Sequence, residues 1–162
     1  MDLETEKEGN ILVIDDDKQL ADMLVKYLSK LGYRTFSENN GFDGIARFKT
    51  GYFQLILLDL KMPDINGIEV LDRIKGIDRQ AVVIIITGEG TIESAVSAIK
   101  KGAYDYITKP FDLKSLEVVI NRAMERRTLV KQVGIFRGVA IALLISIPLW
   151  LLLGIFLASL LK

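Results

Sequence analysis

The stretch Leu55-Ile56-Leu57-Leu58-Asp59-Leu60-Lys61-Met62-Pro63-Asp64 decides the fold. Four apolar residues run into a single carboxylate and then a Met-Pro turn. A short continuous apolar run bounded by turn signals predicts a fully buried strand. Pro63 cannot continue a central strand, so the strand ends before it and Asp59 stands at its carboxyl end. In open α/β sheets ligands bind outside those ends. Asp59 is therefore the first candidate for a reactive group.

Working outward, the same alternation repeats. Ile11 to Ile14 is an apolar run closed by Asp15-Asp16-Asp17. Leu20, Leu24, Leu28 and Leu31 then recur at helical spacing up to Gly32, with Asp17 as the expected N-cap. Tyr33 to Ser37 predicts a second strand, and Gly41 to Lys49 a short helix with Ile45 and Phe48 inward, stopped by Gly51. After the Asp64-Ile65-Asn66-Gly67 turn, Ile68, Leu71 and Ile74 mark a third helix ending near Gly76. Ala81 to Ile86 is a strand leading to Thr87-Gly88. Ile92, Ala95, Val96 and Ile99 mark a fourth helix, and Tyr104 to Ile107 a last strand before Thr108-Lys109-Pro110. Leu113, Leu116, Val119, Ile120 and Ala123 mark a fifth helix. Strands apolar throughout imply a parallel sheet between two helix layers. Right-handed crossovers then gather every strand's carboxyl end on one edge. That edge collects Asp15, Asp16, Asp59, Thr87 and Lys109.

Composition narrows the chemistry. The 162 residues contain no Cys and no His, which excludes disulfides, thiolate or Ser-His nucleophiles and His-ligated zinc. The 21 basic and 21 acidic residues balance, so no overall field attracts nucleic acid. Three clustered carboxylates repel one another, and a divalent cation relieves this. Oxygen-only donors select a hard ion such as Mg²⁺, which shares its site with phosphate oxygens. An Asp carboxylate can attack phosphorus to form an aspartyl-phosphate. Thr87 and Lys109 are placed to bind phosphoryl oxygens. Each residue also has an ordinary reading: Asp17 as a helix cap, Thr87 as a turn former, Lys109 as a surface lysine, Tyr106 as core and Glu89 as a solvated loop residue.

The motifs ILVIDDD, LILLDLKMPDINGIEVL, IIITGEG and YDYITKPF, in this order and spacing, resemble the receiver domains of two-component response regulators. The segment TGEGTIESAVSAIKKGAYDYITKPFDL is most similar to receivers of nitrogen-regulation-type activators. The resemblance covers residues 10 to about 125 and implies a flavodoxin-like (βα)5 doubly wound α/β fold of strand order 2-1-3-4-5. It implies Asp59 as phosphoacceptor, Asp16 as direct Mg²⁺ ligand, Asp15 as a ligand acting mainly through water, and Lys61 as the source of a backbone carbonyl to the metal. Thr87 matches the switch hydroxyl, Lys109 the family's lysine, and Tyr106 the aromatic that swings when Thr87 engages the phosphoryl group. The Lys109-Pro110 bond is often cis in this family. The implied partner is a sensor histidine kinase or a phosphotransfer protein. No enzymatic activity is expected beyond the receiver's own phosphorylation and dephosphorylation. An aspartyl-phosphate phosphatase is the enzyme alternative, but such enzymes need a carboxylate two residues past the nucleophile, where Lys61 stands.

The mean hydropathy is +0.30, and the excess lies at the end of the chain. Residues 138–161 carry no charge, longer than the roughly 20 residues a membrane-spanning helix needs. Pro148 and Trp150 fall near the middle. Arg122, Arg126, Arg127, Lys131 and Arg137 precede the segment and only Lys162 follows it, which orients the receiver to the cytoplasm. Gly134 and Gly138 form a GxxxG spacing that hints at a homodimer. The expected organisation is a flexible tail over 1–8, a receiver over 9–127, a basic linker over 128–137 and a single-pass transmembrane helix over 138–161. With no DNA-binding or ATPase segment among these residues, the expected output is protein–protein contact at the inner membrane, not nucleic-acid binding. A phosphate sink and a membrane scaffold with a vestigial pocket are the alternatives.

Overall fold

The computed structural model describes residues 9–49, 52–88, 90–125, 142–144 and 146. The expectations placed on residues 1–8, Gly51, Glu89, the 128–137 linker, Gly134, Gly138, Pro148 and Trp150 lie outside them. The chain divides into two compact units, Met1–Met124 and Glu125–Lys162. Residues 142–144 and 146 of the second unit are helical. Among the described residues no helix is long and apolar enough to cross a membrane, and the 138–161 segment lies almost wholly beyond them.

The first unit is a five-stranded parallel sheet of order β2-β1-β3-β4-β5. Its strands are β1 (Asn10–Ile14), β2 (Arg34–Glu38), β3 (Leu55–Leu58), β4 (Val82–Thr87) and β5 (Asp105–Thr108). Between them run α1 (Lys18–Lys30), α2 (Gly41–Arg47), α3 (Gly67–Ile77) and α4 (Ile92–Lys100), and α5 covers residues 113–125. Strand order and the alternation of elements agree with the sequence expectation.

The two faces of the sheet are separated by the period-2 alternation of the strands. Leu12, Ile14, Ile56, Leu58, Val83 and Ile85 join Val70, Leu71 and Ile74 of α3 and Ala98 of α4 in one core layer. Ile11, Val13, Leu55, Leu57, Ile84 and Ile86 join Leu24 and Leu28 of α1 and Leu116 and Ile120 of α5 in the other. Each fully buried Leu or Ile contributes about 1.5–3 kcal/mol of transfer free energy. The central strands therefore supply both cores at once, which is why β3 is apolar at every position.

Several expected boundaries move. The strands expected at 33–37, 81–86 and 104–107 each sit one residue later, because the ladder begins where the backbone pairs and not where the apolar run begins. Helix α2 stops at Arg47, because Phe48 turns to extended backbone (φ −63°, ψ 127°) and buries its ring. Helix α3 runs through Gly76 to Ile77 and is capped by Asp78; the exposed glycine weakens the helix without ending it.

Helix α4 differs more. The apolar period located it correctly, yet Ile92, Val96 and Ile99 are 81%, 46% and 49% exposed. The helix packs on the sheet through its small residues, with Ala98 buried and Ala95 half-buried. Its large apolar side chains face outward.

Candidate functional site

The strand register brings the site together. Ile14 is opposite Leu58, Leu58 opposite Ile85, and Thr87 opposite Thr108. One further backbone rung at each strand end sets the next residue. The Asp15 amide donates to the Glu38 carbonyl at 3.2 Å, the Asp59 amide to the Ile14 carbonyl at 2.9 Å, and the Lys109 amide to the Thr87 carbonyl at 2.8 Å. Asp15, Asp59, Thr87 and Lys109 thus emerge side by side from four neighbouring strands. The turns that follow hold them. Asp17 caps α1 by accepting from the Gln19 and Leu20 amides, and its own amide donates to Asp15 Oδ1 at 2.9 Å. The Asp17 cap was legible in the sequence; its backbone role in orienting Asp15 was not.

Gly67 secures the other side. Its amide donates to the Leu60 carbonyl at 2.9 Å. A Cβ there would fall on the Asp59 carbonyl oxygen and lie 2.6 Å from Leu60 Cα. The first turn of α3 therefore rests directly on the backbone that carries Asp59, and any side chain at position 67 would push the two apart. The sequence placed Gly67 in a turn signature without indicating this contact.

The chemical core is acidic and enclosed. Asp15, Asp59 and Thr87 are buried, and Asp16 is exposed. One carboxylate oxygen from each of Asp15, Asp16 and Asp59 lies within 4.8 Å of the others. Lys109 Nζ donates to Asp15 Oδ2 at 2.7 Å and stands 3.6 Å from Asp59 Oδ1. The Lys61 amide donates to Asp59 Oδ2 at 3.0 Å. Asp59 Oδ1 is buried and accepts no hydrogen bond. One oxygen of the Asp59 carboxylate is thus anchored and the other is aimed, unbonded, toward an ammonium group.

Burial pushes the Asp15 carboxyl above the usual carboxylate range, against the Lys109 hydrogen bond and the Asp17 amide, which favour the charged form. Burial likewise raises Asp59, with the Lys109 charge opposing it and the Asp15 charge adding to it. One ammonium faces three carboxylates, so the cluster carries more negative charge than its own residues neutralise. An all-oxygen donor set, two buried carboxylates and an oxygen without a hydrogen bond fit a hard divalent cation. Asp15, Asp16 and Asp59 are the residues that would hold it.

Tyr106 packs half-buried against the α3–α4 core layer. Its hydroxyl is 2.8 Å from Ser94 Oγ. Ser94 also completes the capping box of α4, exchanging hydrogen bonds with Thr91. A Cβ at Gly90 would strike Thr108 Cγ2 and lie 3.5 Å from the Tyr106 hydroxyl, so the chain between β4 and α4 passes close over this ring. Ser94 was not identified from the sequence; the Thr-x-x-Ser spacing signals a cap, but its link to Tyr106 is tertiary. The Lys109-Pro110 peptide bond is cis.

Comparison with known proteins bears on the family and the fold. Residues 11–121 match the family described as the response regulator receiver domain. The regulatory protein AtoC of Escherichia coli is 32% identical over 125 residues, 77% of this chain and 27% of that protein. The DNA-binding transcriptional regulator NtrC of Azospirillum brasilense is 36% identical over 120 residues, 74% of this chain and 25% of that protein. The chain thus spans about a quarter of the length of these relatives. A CheY-like receiver domain from Methanospirillum hungatei superposes with a TM-score of 0.72 at 28% identity, covering 75% of this chain and 98% of that one. NtrX of Brucella abortus gives 0.73 at 35% identity, covering 79% of this chain and 29% of that one.

Proposed function

The chain belongs to the response regulator receiver domain family, and from that premise we propose that Asp59 accepts a phosphoryl group from a histidine kinase or a phosphotransfer protein. Receiver domains bind Mg²⁺ through an aspartate cluster, and Asp15, Asp16 and Asp59 form that cluster here. When bound, the cation neutralises charge on the phosphoryl oxygens and on the clustered carboxylates. The Lys61 backbone carbonyl completes its ligands in this reading.

The observation that carries the proposal is the Asp59 carboxylate itself. Its Oδ2 is fixed by the Lys61 amide while Oδ1 has no hydrogen-bond partner and faces Lys109 at 3.6 Å. Oδ1 is the attacking atom. It forms the new P–O bond as the P–N bond of a phosphohistidine breaks, and the departing imidazole nitrogen takes a proton from solvent. Lys109 stabilises charge on the phosphoryl oxygens, a role suited to a partly desolvated ammonium. Thr87 engages another phosphoryl oxygen, and Tyr106 then leaves Ser94 and turns inward. That exchange shifts the surface of α4 and β5 between two states, read by a protein partner. The uncharged segment 138–161 anchors the receiver to the cytoplasmic face of the inner membrane, and the GxxxG spacing of Gly134 and Gly138 supports pairing of two copies. The position of Lys61, two residues past Asp59, leaves the phosphatase alternative without its general acid.

The test is incubation of the full chain with acetyl phosphate and Mg²⁺, read by intact mass. Wild type gains one phosphoryl group, lost on mild alkaline treatment as an acyl phosphate. Asp59→Asn gains none. Equal labelling of wild type and Asp59→Asn removes Asp59 as acceptor.

A further inference from the structure

The edge of the sheet opposite Asp59 carries unbalanced positive charge. In this topology each helix runs back from a strand's carboxyl end, so helix carboxyl ends and strand amino ends share the far edge. Lys30 closes α1 and Arg34 opens β2; Lys49 lies between α2 and β3, and Arg79 between α3 and β4; Lys100 closes α4 and Arg122 lies in the last turns of α5. All six are exposed. No ion pair or side-chain hydrogen bond joins any of them to another described residue. Their neighbour Lys101 differs, being paired with Asp72. The acidic groups of this edge are fewer: Asp78, which accepts from the Gln80 amide, Asp105, which accepts from the Tyr106 amide, and exposed Glu125 place three carboxylates against the six cations.

Cations at helix carboxyl ends complement the helix dipole, and that explains Lys30, Lys100 and Arg122 without any ligand. It does not explain Arg34, Lys49 and Arg79, which stand at a strand start or in connections. The route of the chain indicates what the six meet together. Met124, near the end of α5, lies against Gly9, the residue before β1. The chain therefore leaves the first unit at this same edge. It continues through Arg126, Arg127, Lys131 and Arg137 into the uncharged segment 138–161.

We infer that this basic edge is a membrane-docking surface that rests on anionic phospholipid headgroups and turns Asp59 away from the bilayer, toward its phosphodonor. The inference rests on the anchored reading above. Surface charges act over about 8 Å at physiological ionic strength, so the edge must touch the headgroups. In the anchored reading residues 126–137 tether the edge to the bilayer, so docking is an intramolecular event. Residues 1–8 carry Asp2, Glu4, Glu6 and Glu8 against Lys7, so a fragment without them is less acidic overall.

The test uses fragments 1–125 and 9–125, which lack the uncharged segment and so report on the edge alone. Met1–Met124 form a compact unit of their own, and the solved Methanospirillum hungatei domain aligns over 98% of its own length, so the fragment is a self-sufficient folding unit. Co-sedimentation is measured with phosphatidylcholine vesicles, with and without ~30% phosphatidylglycerol. Fragment 9–125 is expected to sediment with the anionic vesicles only, more strongly than 1–125, and to be released at high salt. Neutralising one edge cation lowers partition by up to about fivefold. The variant Lys30→Gln/Arg34→Gln/Arg79→Gln/Lys100→Gln therefore stays in the supernatant, while Lys18→Gln/Lys114→Gln, at the opposite edge, binds like the parent. Thermal midpoints of both variants confirm that each is folded. Equal partition to neutral and anionic vesicles, or undiminished binding by the four-fold variant, overturns the proposal, as does binding of duplex DNA where anionic vesicles are left unbound. Alkaline extraction of the full chain from membranes tests the anchor separately.

Discussion

Asp59 owes its character to the asymmetry of its two oxygens. One is held by a backbone amide, and the other is buried without a donor and shares Lys109 with Asp15. Without cation this is an unfavourable arrangement, because burial raises both carboxyls above their ordinary range. The folded chain then holds protons that the unfolded chain, with carboxylates near 3.9, has released. The contribution of these groups to stability is fully present below that value and is lost as pH rises through the raised folded values. Urea midpoints of cation-free wild type and Asp59→Asn should therefore diverge as pH rises above about 4, with the variant becoming the more stable. Mg²⁺ at ten times its dissociation constant should add about 1.4 kcal/mol to wild type at neutral pH and much less to Asp59→Asn. A parallel pH course for the two proteins would mean that burial is not what perturbs Asp59.

Among the elements, α3 is the one whose seating decides the site. Its first residue, Gly67, lies directly on the Asp59 and Leu60 backbone. Gly67→Ala should cost about 1–3 kcal/mol through forced displacement and should slow phosphorylation, since the displaced backbone carries the acceptor. Gly76, in the same helix, has nothing within 4 Å of a built Cβ. Gly76→Ala should stabilise by about 0.5–1 kcal/mol with no change in phosphorylation. Thermal midpoints and acetyl phosphate labelling of the pair separate helix propensity from seating. Helix α4 makes the opposite kind of contact. It meets the sheet through alanines and is tied to Tyr106 through Ser94, so it can shift without opening a cavity of large side chains. That suits the element whose surface changes state.

At the scale of the molecule, chemistry and charge are segregated. The carboxyl edge of the sheet concentrates Asp15, Asp16 and Asp59, while the amino edge presents six exposed cations with no ion-pair partner among the described residues. The two edges are separated by the length of the strands, so a surface bound at one leaves the other accessible. If residues 138–161 anchor the chain, the full chain should stay with membranes through alkaline extraction, and removal of residues 138–162 should release it. Recovery of the full chain in the soluble fraction would remove the anchor.

The amino-acid sequence by itself determined the alternation of elements, the parallel sheet and the residues at each strand's carboxyl end. Those follow from periodicity and turn chemistry, which are local. It therefore brought Asp15, Asp59, Thr87 and Lys109 to one edge. Only the tertiary structure decided which oxygen of Asp59 is unbonded, that Gly67 touches the acceptor's backbone, that Ser94 holds Tyr106, and that the large residues of α4 face outward. Each of these depends on what a distant segment places opposite. The helical period of Ile92, Val96 and Ile99 reports one apolar stripe, but whether the sheet covers that stripe or the alanines beside it depends on how α4 is seated against β5, which no local pattern encodes.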